Sequence, residues 1–322
     1  MSFAAFSSRF FVATRCLSAK SSKYAVATFF DRRVQTLLSE MTGLNLDKVF
    51  APRKERLRQP KYQLMSEEQF AKAEEDSIEK AKKLLRMPPV LEQRKDIDEI
   101  IDHDKLLDGH DVDNANLVFM DISLDIHNRD CRIVVREPNG VLRQATWAER
   151  DKMRQIYFPV EGRKLHIPAL LQSENLQSLF AQGKHEYVLD VANVQCDPDS
   201  EDYIRVHEET YEDINKRQCH EVLRSTRHYG GMVYHLLKKD LIENLLLSIL
   251  EGGRMDDAER LIKLHHLFHP STSSSTQCKQ KGVSGAELVE MHLRLHGPEK
   301  ALNYLERLEK GSQRVHSSLG SL

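Results

Sequence analysis

The chain has 322 residues, of which 40% are hydrophobic and 30% are charged, with 47 basic and 49 acidic side chains. That length can bury one or two hydrophobic cores, and the charge content exceeds that of a typical globular enzyme. The near balance of charge excludes a protein that is clamped on nucleic acid over most of its surface, because such a protein carries excess positive charge.

The N-terminal segment is basic and rich in serine, and no acidic residue precedes Asp31. Its phenylalanines fall near one face when the segment is written as a helix, a pattern typical of a mitochondrial transit peptide. We therefore predict that residues 1–22 are a transit peptide and that the mature chain resides in the mitochondrial matrix. Removing the four cations of the first 23 residues leaves 43 basic against 49 acidic side chains, a net charge of about −6 with histidine neutral.

Residues 30–110 are predicted to form a helical N-terminal region. Hydrophobic residues recur at helical spacing from residue 31 and predict a short first helix, which stops at Thr42-Gly43 and leads into residues 44–46. A capping box that begins at Ser66 predicts a second helix, which the two prolines after Arg86 end. The apolar stripe of this second helix is narrow, so we expect the helix to lie against a partner on one side. Residues 92–113 follow as an acidic stretch with nine acidic side chains.

An extended basic arm is predicted between these two helices. Five basic side chains and one acid occupy residues 53–61, with Pro52 and Pro60 at the margins. Proline disfavours a helix there, and an extended segment can follow a phosphate backbone that a globular face only touches. The arm supplies five candidate contacts to RNA phosphates: Arg53, Lys54, Arg56, Arg58 and Lys61.

Residues 111–165 are predicted to form a small α+β module. Val, Ile and Phe are concentrated over 116–124 and 131–136, which predicts two strands. The Pro-Asn-Gly turn after the second strand leads into a third, so we expect a small antiparallel sheet. A capping box that begins at Thr146 predicts a helix that ends before Pro159.

Residues 166–270 are predicted to form a helical domain. Paired glycines at 252–253 separate its last two helices, so these helices form a hairpin that Pro270 ends. The predicted helices span residues 173–182, 184–194, 199–217, 232–250 and 256–268.

Beyond this domain, residues 271–285 are predicted to be a Ser-rich linker and residues 286–322 a tail that is helical or disordered. The most hydrophobic segment, 232–250, is interrupted by four charged side chains, so no membrane-spanning segment is predicted. The predicted fold class is α+β and predominantly α-helical, with a small antiparallel sheet in the middle and a helical hairpin near the C-terminal end.

Two further basic patches lie over residues 150–164 and 216–227. An arginine side chain can donate two hydrogen bonds to one phosphate. The basic residues of each patch are irregularly spaced among polar residues, which suits contact with an RNA backbone rather than recognition of bases. Acidic stretches over 92–113 and 186–213 alternate with the basic patches, so we expect a surface that meets RNA in some places and basic proteins in others. The candidate RNA contacts in these two patches are Arg163, Lys164, Lys216, Arg217, Arg224 and Arg227.

No motif in the sequence supports catalysis. The five cysteines have no paired spacing, and neither glycine pair lies in a nucleotide-binding pattern. His265 and His269 stand four residues apart as in zinc-binding helices, but the glutamate of the metalloprotease motif is missing, and we favour capping and packing for them. We therefore predict no enzymatic activity, no cofactor and no bound metal.

Seven groups of residues between residue 41 and about residue 270 are distinctive in their order and spacing. They are Met41-Thr-Gly-Leu-Asn-Leu46; Met87-Pro-Pro-Val-Leu91; Val134-Val-Arg-Glu-Pro138 with Gly140 and Leu142-Arg143; Trp147 with Glu149-Arg-Asp151; Tyr157-Phe-Pro159 with Glu161-Gly-Arg-Lys164; Tyr211-Glu-Asp-Ile214 with Lys216-Arg217; and Leu223-Arg-Ser-Thr-Arg227 with Gly230-Gly-Met-Val233. In order and spacing these groups resemble the mitochondrial small ribosomal subunit protein family numbered twenty-two. The tail from Ser271 onward does not share the resemblance.

The resemblance implies a mitochondrion-specific structural constituent of the small ribosomal subunit, with no bacterial counterpart, cofactor or catalysis of its own. It implies small-subunit rRNA and other mitochondrial ribosomal proteins as partners, and neither a membrane nor a small-molecule substrate. The family has no catalytic motif to carry over, so the candidate RNA contacts rest on charge alone. Two alternatives stay open: a non-ribosomal mitochondrial helical adaptor or ribosome-assembly factor, and a metal-dependent hydrolase built on His265 and His269.

Overall fold

The structure is a computed structural model. It describes residues 28–51, 62–97, 99–107, 115–123, 126, 130–270 and 285–296. The predicted transit peptide, the basic arm, nearly all of the Ser-rich linker and the end of the tail lie outside these residues, so those predictions stay predictions. Within the described residues, no helix is both long and apolar enough to cross a membrane.

The N-terminal region holds three helices, α1 (Arg32–Thr42), α2 (Leu46–Val49) and α3 (Glu67–Leu84). The first helix ends at Thr42-Gly43 as predicted, because Gly43 adopts a positive φ of 70°. The short helix α2 that follows is not predicted by the sequence. The Ser66 capping box is present and begins α3. Most of α3 is exposed.

A four-stranded antiparallel sheet follows, with strands β1 (Ile100–His103), β2 (Leu117–Met120), β3 (Ile133–Arg136) and β4 (Val141–Gln144) in the order β1-β4-β3-β2. The predicted hairpin joins β3 and β4, and Gly140 at a φ of 80° lies in its turn. β1 lies in the acidic stretch, where the sequence predicts no strand. Because all four of its side chains are exposed, burial imposes no alternating hydrophobic pattern on its sequence.

α4 (Trp147–Tyr157) begins at the second predicted capping box, in which Thr146 and Glu149 each accept a hydrogen bond from the other's backbone amide. Ile133 and Val135 of β3 are fully buried, and Met153 of α4 packs against the same small core. This core joins the predicted sheet to the predicted helix.

Seven further helices follow in the described residues. They are α5 (Ser173–Ala181), α6 (His185–Gln195), α7 (Glu201–Arg217), α8 (Tyr229–Lys238), α9 (Glu243–Glu251), α10 (Met255–Phe268) and α11 (Ala286–His296). The described part of the chain confirms the predicted fold class, α+β and predominantly α-helical. The predicted hairpin is also confirmed, since α9 and α10 pack across the paired-glycine turn.

The predicted single helix over 232–250 is wrong, because the chain turns between α8 and α9. Asp240 adopts a left-handed φ of 56° there, a conformation that aspartate tolerates better than most residues. The amide of Leu241 donates to the carbonyl of Leu236 at 2.9 Å and closes the end of α8. Hydrophobic residues continue on both sides of this turn, which is why helical spacing alone does not locate it.

The helices share two hydrophobic cores. The larger core joins α1, α8, α9, α10 and α11 through fully buried residues such as Leu38, Met232 and Leu261. The smaller core joins α5, α6 and α7 around residues such as Phe180. Leu293 of α11 is also fully buried in the larger core, so the first helix of the tail is part of the folded body.

Three of the groups that carry the resemblance meet against α8. A Cβ atom added at Gly230 would collide with the Met87 sulfur, and one added at Gly231 would lie 2.9 Å from the Tyr211 hydroxyl. Glycine at both positions lets these two side chains lie close to the helix backbone, and a larger residue would force them to move. These groups therefore mark a packing site within the fold.

Candidate RNA and protein contact sites

Six of the eleven candidate RNA contacts lie in described residues. They are found in the loop between α4 and α5 (Arg163, Lys164), at the end of α7 (Lys216, Arg217) and in the loop that leads into α8 (Arg224, Arg227). The other five form the basic arm, outside the described residues.

Arg163 belongs to an ion-pair network around Asp197. Its Nη2 lies 2.9 Å from Asp197 Oδ1, and Arg154 Nη2 lies 3.3 Å from Oδ2 of the same carboxylate. Arg94 joins the network, with Nη1 at 3.8 Å from Asp197 and Nη2 at 2.6 Å from Asp151. Burial raises the pKa of the Asp197 carboxyl, but hydrogen bonds and charges from Arg163 and Arg154 outweigh burial and hold the pKa below its ordinary value. This basic patch is therefore partly neutralised within the chain.

Arg94 is a member of this network that the sequence analysis misses. Its guanidinium carbon lies 4.3 Å from the centre of the Trp147 ring, so it also makes a cation–π contact. The Trp147 indole in turn donates to the carbonyl of Lys95 at 2.7 Å. Arg94 is one of three cations in an acidic stretch, and the sequence gives little sign of its role because its partner Asp151 is 57 residues away.

Arg224 and Arg227 hold the loop that leads into α8. Arg227 donates to Asp190 Oδ1 from Nε at 3.2 Å and from Nη2 at 2.7 Å, and His228 Nε2 lies 3.0 Å from the same oxygen. Burial raises the pKa of the Asp190 carboxyl, but hydrogen bonds from His228 and Arg227 bring it below its ordinary value. Arg224 Nη2 lies 3.2 Å from Asp257 Oδ2. Both arginines thus have structural partners in the same chain.

Lys48 holds the same loop, and the sequence analysis misses this residue as well. Its Nζ donates to the carbonyl oxygens of Glu221 at 3.2 Å, Val222 at 2.7 Å and Arg224 at 2.6 Å. Burial lowers the pKa of this ammonium, and the charges of Glu186 and Glu221 offset part of the effect. The three donors of a lysine ammonium therefore satisfy three carbonyls of one loop.

Lys164 and Lys216 differ from the four candidate arginines, each of which has a carboxylate partner in the chain. Arg217 Nε lies 2.8 Å from Asp213, one helical turn earlier, so it too has a partner in the chain. Both lysines are exposed, and within the described residues neither ammonium has a carboxylate partner at salt-bridge distance. Four arginines thus have carboxylate partners, while two lysines keep a charge available for a phosphate. RNA contact stays a prediction at all six positions.

His265 lies in the last turn of α10 and His269 is the residue that follows the helix, with their ring centres 4.9 Å apart. His269 Nε2 lies 3.1 Å from the carbonyl oxygen of Leu237, which fits the packing role that the sequence favours. His265 Nε2 lies 2.9 Å from Asp240 Oδ1. The sequence does not indicate this carboxylate, because it comes from the turn between α8 and α9.

The chain is similar to known proteins over most of its length. The family described as mitochondrial 28S ribosomal protein S22 matches residues 27–270. The chain is 42% identical to small ribosomal subunit protein mS22 of Bos taurus over 286 residues, which cover 89% of this chain and 79% of the relative. It is 40% identical to small ribosomal subunit protein mS22 of Mus musculus over 298 residues, which cover 92% and 82%. The chain therefore belongs to the mitochondrial 28S ribosomal protein S22 family.

Proposed function

We propose that this chain is a structural constituent of the mitochondrial small ribosomal subunit, where it supports organellar translation through contacts with rRNA and neighbouring ribosomal proteins. The observation that carries the proposal is the family match over residues 27–270, which spans both helical cores to the end of α10. The two relatives bear the name small ribosomal subunit protein. The chain resides in the mitochondrion as part of this ribosome, and its role includes no catalytic step.

α3 is the described element that best suits contact with another ribosomal protein. Phe70 and Leu84 are 64% and 56% exposed, and Ala81 is the residue of α3 that is buried. On the same helix, Lys83 Nζ pairs with Glu79 Oε1 at 2.8 Å. A capped helix with exposed apolar side chains gains stability by packing against a partner. The proposal therefore places a neighbouring protein on α3.

The basic arm and the two exposed lysines are the proposed rRNA contacts. The arm carries five cations against one acid within nine residues, and the mature chain as a whole is acidic. Lys164 and Lys216 add two exposed charges, and neither ammonium has a carboxylate at salt-bridge distance within the described residues. Basic side chains without a close carboxylate partner can bind phosphates at a few places on a protein whose net charge is negative.

Sedimentation of mitochondrial lysates tests the ribosomal assignment. We expect the protein to sediment with the small subunit and the monosome at high salt. Depletion is expected to lower the level of small subunits and organellar translation, because a constituent stabilises its neighbours by mass action. An assembly factor would instead leave at high salt or sediment only with precursor particles. Normal small-subunit levels after full depletion would contradict the proposal.

Reversing the charge of the arm tests its contact with rRNA. In a variant with Arg53→Glu, Arg56→Glu and Arg58→Glu, we expect weaker incorporation into the subunit and release at lower salt, because phosphate contacts are lost. The melting temperature of the isolated variant should stay close to that of the wild type, since exposed charges add little to folding.

A matched control makes the same change of charge elsewhere. The variant with Arg33→Glu, Lys184→Glu and Lys238→Glu alters three exposed cations that belong to none of the proposed contacts, and we expect it to incorporate normally. If the arm variant also assembles normally at elevated salt, the arm does not bind rRNA. The contacts would then be sought at Lys164 and Lys216.

A further inference from the structure

Four histidines meet where α10 and α11 pack together. The ring centres of His265 and His292 lie 5.3 Å apart, and those of His266 and His292 lie 5.8 Å apart. The ring centres of His265 and His269 lie 4.9 Å apart. His292 belongs to the tail, so its proximity to the histidines of α10 follows from the fold and not from sequence spacing.

Asp240 orients the central histidine of this group. Its Oδ1 lies 2.9 Å from His265 Nε2, and the His265 side chain is nearly fully buried. A carboxylate that accepts from Nε2–H fixes the ring tautomer and leaves the lone pair on Nδ1. Histidines that bind metals commonly have such a carboxylate behind them. Asp240 also adopts a left-handed backbone conformation, which aims this carboxylate from the tight turn between α8 and α9.

We propose that His265, His266 and His292 bind a divalent transition ion of the zinc type, with Asp240 as the residue that positions His265. One ligand atom from each of the three histidines lies within 4.8 Å of the others. Tetrahedral zinc with nitrogen ligands at about 2.0–2.1 Å requires ring nitrogens roughly 3.4 Å apart, so small side-chain rotations bring the three imidazoles onto one ion. Water fills the fourth position.

A second group, Asp240, His265 and His269, also has ligand atoms within 4.8 Å of one another. The two groups share His265, so a single ion can bind to only one of them. The group with His292 supplies three imidazoles, and His265 and His292 are both buried. The second group would need Asp240 as a ligand, whereas its Oδ1 lies 2.9 Å from His265 Nε2, a contact that suits the orienting role. We therefore assign His269 to packing and the other three histidines to the ion.

The ion would fasten the tail to the body of the protein. Leu288 and Val289 of α11 are buried in the larger core, and His292 follows them on the same helix. The family match ends at residue 270, so α11 lies beyond it. A metal clamp between α10 and α11 is thus a property of this chain that the ribosomal role does not include and does not require.

Zinc titration of the full chain tests the proposal. The protein is stripped with a chelator and titrated with Zn²⁺ in competition with a chromogenic chelator. We expect one tightly bound ion in the wild type, and loss of this binding in His266→Ala and in His292→Ala. The matched controls His269→Ala and His166→Ala should keep it. Asp240→Asn should lower the affinity by about 10–100-fold, the usual effect of losing a carboxylate behind a metal-binding histidine.

Three further measurements check the folding of the variants, the coordination of the ion and its effect on stability. Circular dichroism of each metal-free variant checks that it is folded, and Co²⁺ bound to the wild type should give the visible absorption of tetrahedral coordination. Zinc should raise the melting temperature of the wild type and leave that of His292→Ala unchanged. The proposal is overturned if the wild type binds no more zinc than folded His292→Ala, or if His269→Ala abolishes binding while His266→Ala and His292→Ala retain it.

Discussion

Replacing Asp197 by alanine is expected to lower the free energy of unfolding of the isolated chain by about 3 kcal/mol. The substitution removes the carboxylate shared by Arg94, Arg154 and Arg163, whose side chains are 13%, 13% and 20% exposed. Three partly buried guanidinium groups would then repel one another with Asp151 as the remaining close carboxylate. Removing one partner of a buried ion pair is costly because the remaining charge is left without compensation.

Urea unfolding of the isolated protein measures this loss. Asp199→Ala is the matched control, since Asp199 lies two residues further along the same loop, is more exposed and reaches Arg94 only at 4.0 Å. We expect the control to change stability by less than about 1 kcal/mol. Equal losses in both variants would mean that Asp197 has no special role in joining α4 to the loop before α7.

Lowering the pH from about 7.5 to 5 is expected to destabilise the isolated chain by about 4 kcal/mol through two histidines. Burial lowers the pKa of His207 to about 3 and that of His220 to about 4. In the unfolded chain both titrate near the ordinary value of about 6.5. The unfolded state therefore takes up protons that the folded state excludes, so stability is present above about pH 6.5 and is lost as the pH falls towards the folded values. Each histidine contributes about 2 kcal/mol over this range.

Unfolding free energies at a series of pH values check this prediction, with a chelator present so that metal binding does not contribute. The double variant His207→Gln with His220→Gln should lose less stability on acidification than the wild type, by about 4 kcal/mol. His166→Gln, at an exposed histidine, is the matched control for the substitution itself. An unaltered pH dependence in the double variant would show that other groups cause the acid sensitivity.

The sequence by itself determined the local features of the fold. The capping boxes at Ser66 and Thr146 are present because a capping box depends on residues three positions apart and on nothing else in the chain. The paired glycines before α10 likewise predict the hairpin, since they interrupt the helix locally. Seven short groups of residues, by their order and spacing, were enough to indicate the family, and three of them pack together at α8, where Gly230 lies against Met87 and Gly231 against Tyr211.

The tertiary structure alone decided what the charged and titratable side chains contact. Arg163 and Arg227 look like free cations in the sequence, but the fold brings them to Asp197 and Asp190, which are 34 and 37 residues away. The spacing of hydrophobic residues does not reveal the turn at Asp240, and this turn places the Asp240 carboxylate against His265. In each case the partner comes from a distant segment that only packing of the hydrophobic cores brings near, so a local pattern of charge or spacing cannot reveal it.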